Sequence, residues 1–233
     1  MAPEIVERIT ANAREQGRRA LLEPEAKEFC VAYGIPTPKF RVAHSAAEAA
    51  SLAEEVTYPT VLKIVSPDIL HKTEVGGVIV GLNTKDQVKD AYNQILSKVK
   101  QQDPKARVEG VLVQSMAPSG VEVIVGGLRD STFGPTVLFG LGGIFVEVLK
   151  DASFRVAPIT GLDSRRMIEE VRGYPLLQGI RGQPASDEEA ITHILQATSR
   201  IMLENDQIQQ VDLNPVIVYP KGAAVVDARI ILG

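Results

Sequence analysis

The chain has 233 residues, with 25 Lys and Arg against 29 Asp and Glu, three His and one Cys, for a formal net charge of −4. Hydrophobic residues make up 45% and charged residues 23%, which fits one large or two small globular domains and excludes a disordered tail. The acidic balance argues against a broad nucleic-acid-binding surface, and Cys30 alone excludes an intrachain disulfide or a CxxC metal site and suits a reducing cytoplasm.

Met1–Arg19 mixes acids with bases around scattered apolar residues and reads as an amphipathic helix, not as a signal peptide. Glu23–Tyr33 has helical spacing and stops at Gly34. Ile35-Pro36-Thr37-Pro38 cannot be helix, because each proline biases its predecessor to extended geometry. Phe40–Ala43 alternates like a short strand. Ser45 then caps a helix over Ala46–Glu55, with Glu48 completing a capping box. Pro59–Val65 is a β-branched strand interrupted by one lysine, Val78–Leu82 is a second strand, and Thr84–Lys100 is a polar-faced helix.

The second half repeats the theme. Strands are expected over Val108–Gln114 and Val121–Gly126, then over Thr136–Phe139 and Ile144–Leu149 around a glycine-rich loop. Helices are expected over Ser164–Val171 and Ser186–Glu204, and two closing strands over Gln210–Tyr219 and Ala223–Ile231. The pattern is α/β or α+β. A boundary is expected near Asp103–Val108 or Pro118–Gly120. The longest charge-free run, Ser131–Val146, is broken by Gly and Pro and falls short of the roughly 20 apolar residues that span a bilayer.

Lys63 lies inside an otherwise apolar strand. Its ammonium must reach water or meet an anion, so it is either a snorkelling side chain or a phosphate ligand. Gly76-Gly77 is either a plain turn or a place where backbone amides approach a polyphosphate. No GxxxxGK[ST] loop is present, and Gly140-Leu141-Gly142-Gly143 is not a dinucleotide fingerprint. His71, between the lysine and the glycines, is either a solvated loop residue or a nucleophile for a phosphoryl group. His44 and His193 have no such neighbours and read as structural. Asp212 and Asn214 are two apart on a strand, so they share a face. Hairpin pairing brings Asp227 beside them. These are either turn-flanking polar residues or oxygen ligands of the kind that hold Mg²⁺ together with substrate phosphates. Gln114 and Glu122 are further polar residues in apolar strands.

In this order the residues resemble the ATP-grasp fold, an α+β architecture with the nucleotide between two α+β subdomains. More narrowly, Ser66–Val78 (SPDILHKTEVGGV), Phe139–Asp151 (FGLGGIFVEVLKD) and Leu177–Gly182 (LQGIRG) resemble the ADP-forming acyl-CoA synthetases. The similarity is to their separate β subunits in archaeal-type acetyl-CoA synthetases, relatives of succinyl-CoA synthetase, and it spans nearly the whole chain. It implies a helical extension over 1–20, an N-terminal subdomain with the His loop over 21–107 and a C-terminal subdomain over 108–233.

The reaction implied is acyl-CoA + ADP + phosphate = acid + CoA + ATP, in the cytoplasm. A CoA-binding α subunit completes the enzyme, as α2β2, with no membrane or nucleic acid involved. ATP/ADP and Mg²⁺ are the implied cofactors. By the same resemblance His71 relays the phosphoryl group. Lys63, Gly76 and Gly77 meet phosphates, and Gln114, Ser115 and Met116 line the adenine pocket. Glu122 faces the ribose, Asn214 and Asp227 hold the metal, and Asp212 steadies a phosphohistidine. Arg129, Glu147, Asp151 and Arg155 are further residues whose contact with phosphate stays open. Phosphoryl transfer needs charge neutralisation and in-line placement, and a mobile loop carrying His71 is expected to supply the second. Two alternatives remain: a non-catalytic nucleotide-sensing module, and an ATP-grasp ligase of another reaction.

Overall fold

The computed structural model describes residues 2–69, 71–143, 151–180, 182 and 184–233. The chain divides into two compact units. The smaller holds Leu22–Glu25 and Pro38–Ala117; the larger holds the N-terminal segment to Leu21, Ala26–Thr37 and Pro118–Gly233.

In the smaller unit a four-stranded antiparallel sheet carries β1 (Phe40–Ala43), β2 (Thr60–Val65), β3 (Val78–Leu82) and β4 (Gly110–Ser115) in the order β1-β4-β2-β3. Two helices, α3 (Ala46–Val56) and α4 (Lys85–Gln102), pack on it. Their apolar faces (Ala49, Ala53 and Val56; Val88, Ile95 and Val99) join Leu62, Ile64, Val111 and Val113 in one core. Both helices start where the sequence places a side-chain acceptor. Ser45 accepts from Glu48 N at 3.2 Å, and Thr84 from Gln87 N at 3.3 Å. The expected capping box differs in one bond: the Glu48 carboxylate reaches the amide of His44, at 2.7 Å, one residue before the cap.

The larger unit is built on β5 (Val121–Asp130), β6 (Gly134–Leu141), β7 (Ala152–Val156), β8 (Ile208–Val218), β9 (Ala223–Val225) and β10 (Ala228–Leu232). The sheet order is β10-β8-β5-β6-β7, with β9 beside β8, and all pairings are antiparallel. Its helices are α1 (Ala2–Glu15), α2 (Glu23–Ala32), α5 (Gly161–Glu170) and α6 (Glu188–Glu204); the first turn of α2 belongs to the smaller unit. Val123, Val125, Val137 and Phe139 point from the sheet into a core shared with Met167, Ile194, Ile201 and Met202.

Three expectations change. Residues 1–20 are not an appendage, since Val6, Ile9 and Ala13 are buried in the larger core. The division falls at Ala117/Pro118, at the second of the two expected boundaries and not at 107/108, because β4 is hydrogen-bonded between β1 and β2 and cannot leave their sheet. The last expected strand is two, β9 and β10, interrupted at Val226-Asp227. The sequence pattern also missed β7. The expected strand Ile144–Leu149 lies outside the described residues. Among the described residues no helix is long and apolar enough to cross a membrane.

Asp187 shows how these ends are held. It caps α6 by accepting from Ala190 N at 3.0 Å, and its other oxygen accepts from Gly222 N at 2.7 Å in the β8–β9 turn. Those two amides, Gly222 first, hold its carboxyl below the usual aspartate value. Asp187→Ala is expected to cost about 1–2 kcal/mol at neutral pH, the range for a lost cap. A depressed carboxylate stabilises the fold above its unfolded pKa and stops doing so as pH falls through the folded one. Urea titrations of the two proteins should therefore differ at pH 7 and converge in acid.

Candidate functional site

In the smaller unit the site begins with β2. All six of its residues are buried, including Lys63, which is 5% exposed. An ammonium there requires an anion, and Glu23 supplies it. Glu23 Oε1 lies 2.7 Å from Lys63 Nζ, and Oε2 lies 2.8 Å from Lys72 Nζ. The Glu23 side chain is 2% exposed. One buried carboxylate thus gathers two lysines, one from the strand and one from the loop that follows it. Lys63 is therefore not a snorkelling side chain.

His71 precedes Lys72 on that loop and is exposed. The loop closes through Gly76 and Gly77. Gly76 has φ of +65°, which L side chains rarely adopt. A Cβ on Gly77 would stand 2.5 Å from Ile64 Cγ2 and 2.9 Å from the Lys72 carbonyl oxygen. Both amides donate inside the loop, Gly76 N to Thr73 O at 3.1 Å and Gly77 N to Lys72 O at 2.7 Å. The glycine pair therefore has a conformational reason of its own. His44 and His193 are occupied structurally. The amide of His44 meets Glu48, and the His193 ring contacts Gly34 O at 3.1 Å.

Gln114, Ser115 and Met116 end β4. Gln114 is fully buried, between Phe40 and Val61 in register. Ser115 N donates to Lys39 O at 2.9 Å and Met116 N to Pro59 O at 2.8 Å, while the Met116 side chain is exposed.

In the larger unit, Val211 and Leu213 are buried and Asp212, between them on β8, takes the other face of the strand. It pairs in register with Arg229 on β10 and Gly126 on β5. Desolvation raises its carboxyl above the usual aspartate value, and the Arg229 charge pulls the other way. Asn214 N donates to Asp227 O at 3.1 Å, so these two residues sit side by side as expected. Lys27 fixes the same corner: it is completely buried and its ammonium donates to Val226 O at 2.7 Å. Glu122, on β5, is exposed.

Amide and carboxylate oxygens are the hard donors that Mg²⁺ takes. Among the described residues no three His, Cys, Asp or Glu cluster as a metal site. Mg²⁺ commonly takes few ligands from a protein and more from phosphates and water.

The residues left open on sequence have structural partners. The Arg129 guanidinium donates to the carbonyls of Met202 at 2.6 Å, Asn205 at 3.2 Å and Ile208 at 3.2 Å, closing the end of α6. Asp151 accepts from the amides of Arg172 at 2.8 Å and Gly173 at 2.9 Å. Arg155 pairs with Glu170. Glu147 lies outside the described residues. Sequence reasoning missed Glu23, Lys72 and Lys27. The signal for Glu23 was indirect: a lysine in an apolar strand demands a carboxylate from somewhere.

The model of the ATP-grasp domain matches residues 12–232. The β subunit of acetate–CoA ligase (ADP-forming) I from Pyrococcus furiosus is 46% identical over 231 residues, covering 99% of this chain and 97% of that one. The acetate–CoA ligase (ADP-forming) I of Archaeoglobus fulgidus is 45% identical over 232 residues, but this chain spans only 33% of its length. Among solved structures, the acetyl-coenzyme A synthetase 1 of Ca. Korarchaeum cryptofilum, in complex with coenzyme A, Ca-AMPCP and HgCl⁺, superimposes with a TM-score of 0.96 at 52% identity, covering 97% of this chain and 99% of the matched chain. With two antiparallel α+β units, the motif around His71 and relatives matched end to end, the chain belongs to the ATP-grasp family, on the branch of the β subunits of ADP-forming acetate–CoA ligases.

Proposed function

We propose that this chain is the nucleotide-binding subunit of an ADP-forming acyl-CoA ligase, and that His71 relays the phosphoryl group to ADP. The observation that carries the reading is the lysine pair beside that histidine, with Lys63 and Lys72 both within 2.8 Å of Glu23. Phosphoryl transfer is catalysed mainly by charge neutralisation and placement, and a buried Lys63 and a half-buried Lys72 next to an exposed imidazole offer both.

The proposed sequence has two steps. An imidazole nitrogen of His71 attacks the phosphorus of a phosphohistidine on the partner; a P–N bond forms and the partner's P–N bond breaks. A β-phosphate oxygen of ADP then attacks, a P–O bond forms, and the His71 imidazole leaves. Lys63 and the loop meet the nucleotide phosphates, and Gln114, Ser115, Met116 and Glu122 meet the base and ribose. Asn214 and Asp227 would hold Mg²⁺, which when bound neutralises phosphate charge. Asp212 accepts a hydrogen bond from the partner's histidine while that group is charged.

The partner is a CoA-binding α subunit in an α2β2 assembly. Its support is the longer A. fulgidus relative, in which this chain corresponds to one third. The cytoplasm suits a chain whose one cysteine, Cys30, is free and buried. The acyl group belongs to the partner's pocket; acetate is the substrate in the relatives' names.

With the α subunit present, His71→Ala is expected to abolish ATP formation while the Kd for ADP changes by less than about threefold, because a neutral imidazole contributes nucleophilicity and the lysines contribute binding. Incubation with γ-labelled ATP and Mg²⁺ should put an acid-labile, base-stable label on the wild-type chain and none on the variant. Near-normal turnover by His71→Ala would remove the relay.

Asp212 gives a second test. Its raised pKa means that, between 3.8 and the folded value, the native chain binds more protons than the unfolded one. Stability therefore falls as pH rises through that window. Asp212→Asn should raise Tm at pH 7 and lose that advantage below pH 3.8, while slowing phosphoryl transfer. A variant that is less stable at pH 7 would show that Asp212 serves the fold.

A further inference from the structure

The loop that carries His71 is fastened on both sides of it. On the near side, Asp68 accepts three hydrogen bonds from one residue. Arg107 N reaches Oδ2 at 2.8 Å, its Nε reaches the same oxygen at 3.0 Å, and its Nη2 reaches Oδ1 at 2.7 Å. Asp68 N donates in turn to Ser66 Oγ at 3.1 Å. The guanidinium and amide of Arg107 hold the Asp68 carboxyl down at about 2, so this fastening persists across the working pH range. Ile69 then enters the smaller unit's core, 8% exposed.

On the far side, Lys72 is tied twice. Its ammonium lies 2.8 Å from the buried Glu23 carboxylate, and its carbonyl accepts from Gly77 N at 2.7 Å. The residues three before, two before and one after His71 are therefore all fixed within the smaller unit. Ile69 and Lys72 are three residues apart, a span of at most about 11 Å fully extended. The backbone at His71 cannot travel far between those points unless a fastening opens.

We infer that Asp68 and Glu23 are positioning residues that fix the backbone on either side of His71, so that its imidazole meets the phosphoryl group at a set place. This rests on the proposed relay and replaces the mobile His loop expected from the sequence. The benefit is chemical: in-line transfer tolerates little misplacement, and a displacement of about 1 Å can cost a hundredfold in rate. Arg107, three residues before β4, is where the near side is tied.

The near side is the cleaner one to test, since Glu23 also touches Lys63. Asp68→Asn and Arg107→Ala should each slow labelling of His71 by γ-labelled ATP at least about tenfold, with the Kd for ADP within about twofold of wild type. Asp68→Glu should recover part of the rate. The loss in the double variant should be well short of the two single losses added, because both weaken the same fastening. Unchanged labelling in Asp68→Asn, or additive losses, overturns the inference. Thermal denaturation of each variant separates these outcomes from misfolding.

Limited trypsin digestion reads the fastenings without any activity. The bond after Lys72 should be cut at least about tenfold faster in Asp68→Asn and in Glu23→Gln than in wild type, and equal cutting overturns the inference. A wild-type chain that binds ADP, takes no label and still resists trypsin at Lys72 overturns the relay and leaves the fastened loop standing.

Discussion

A single carboxylate organises the smaller unit. Glu23 is 2% exposed and its two oxygens lie 2.7 and 2.8 Å from the ammonium groups of Lys63 and Lys72. Burying any one of these charges by itself would be costly, and removing one partner from such a group leaves the others uncompensated. The arrangement explains why a lysine is tolerated in the middle of a fully buried strand. It also fixes where the following loop goes, because Lys72 must stay beside Glu23. His71, one residue earlier, is thereby placed beside the lysine pair and is exposed. The lysine pair, the strand and the place of His71 are set by one constraint.

The larger unit solves a related problem with different parts. The hairpin that ends the chain presents Asp212, Asn214 and Asp227 together, and its corner is tied by a fully buried lysine, Lys27, to the Val226 carbonyl. Asp212 pays for its position: desolvation outweighs Arg229 and raises its pKa. A carboxylate kept where it costs stability is a common mark of a working residue. By contrast, the ties made by Arg129, Asp151 and Arg155 join strand, loop and helix ends and are fully accounted for by the fold.

Much of this was legible in the sequence where the cause is local. Phe40–Ala43 and Val78–Leu82 are strands to the residue, and Ser45, Thr84 and Asp187 cap helices where a hydroxyl or carboxylate precedes an amphipathic run. The motif around His71 was readable because it is contiguous. What the sequence hid is tertiary. Glu23 stands 40 positions before Lys63 and reads there as an ordinary acid in a helix's first turn. Arg107 stands 39 positions after Asp68. The boundary near 107 looked natural because a helix ends there, but strand pairing keeps β4 in the smaller sheet. β7 was missed although Ala152–Val156 alternates apolar and polar residues: it is short, and its apolar residues Phe154 and Val156 face outward while Ser153 is buried.

The proposed role of the lysine pair gathered by Glu23 is to bind phosphate groups. Calorimetric titration of Lys63→Met with ADP and with AMP, in the presence of Mg²⁺, tests it most directly. Loss of a charged hydrogen bond is worth about 1.5–3 kcal/mol, or roughly one to two orders of magnitude in Kd. The expected result is a loss of that size for ADP and a much smaller one for AMP, which lacks the outer phosphate. Equal affinities for wild type and variant, or equal losses for the two nucleotides, would contradict the account.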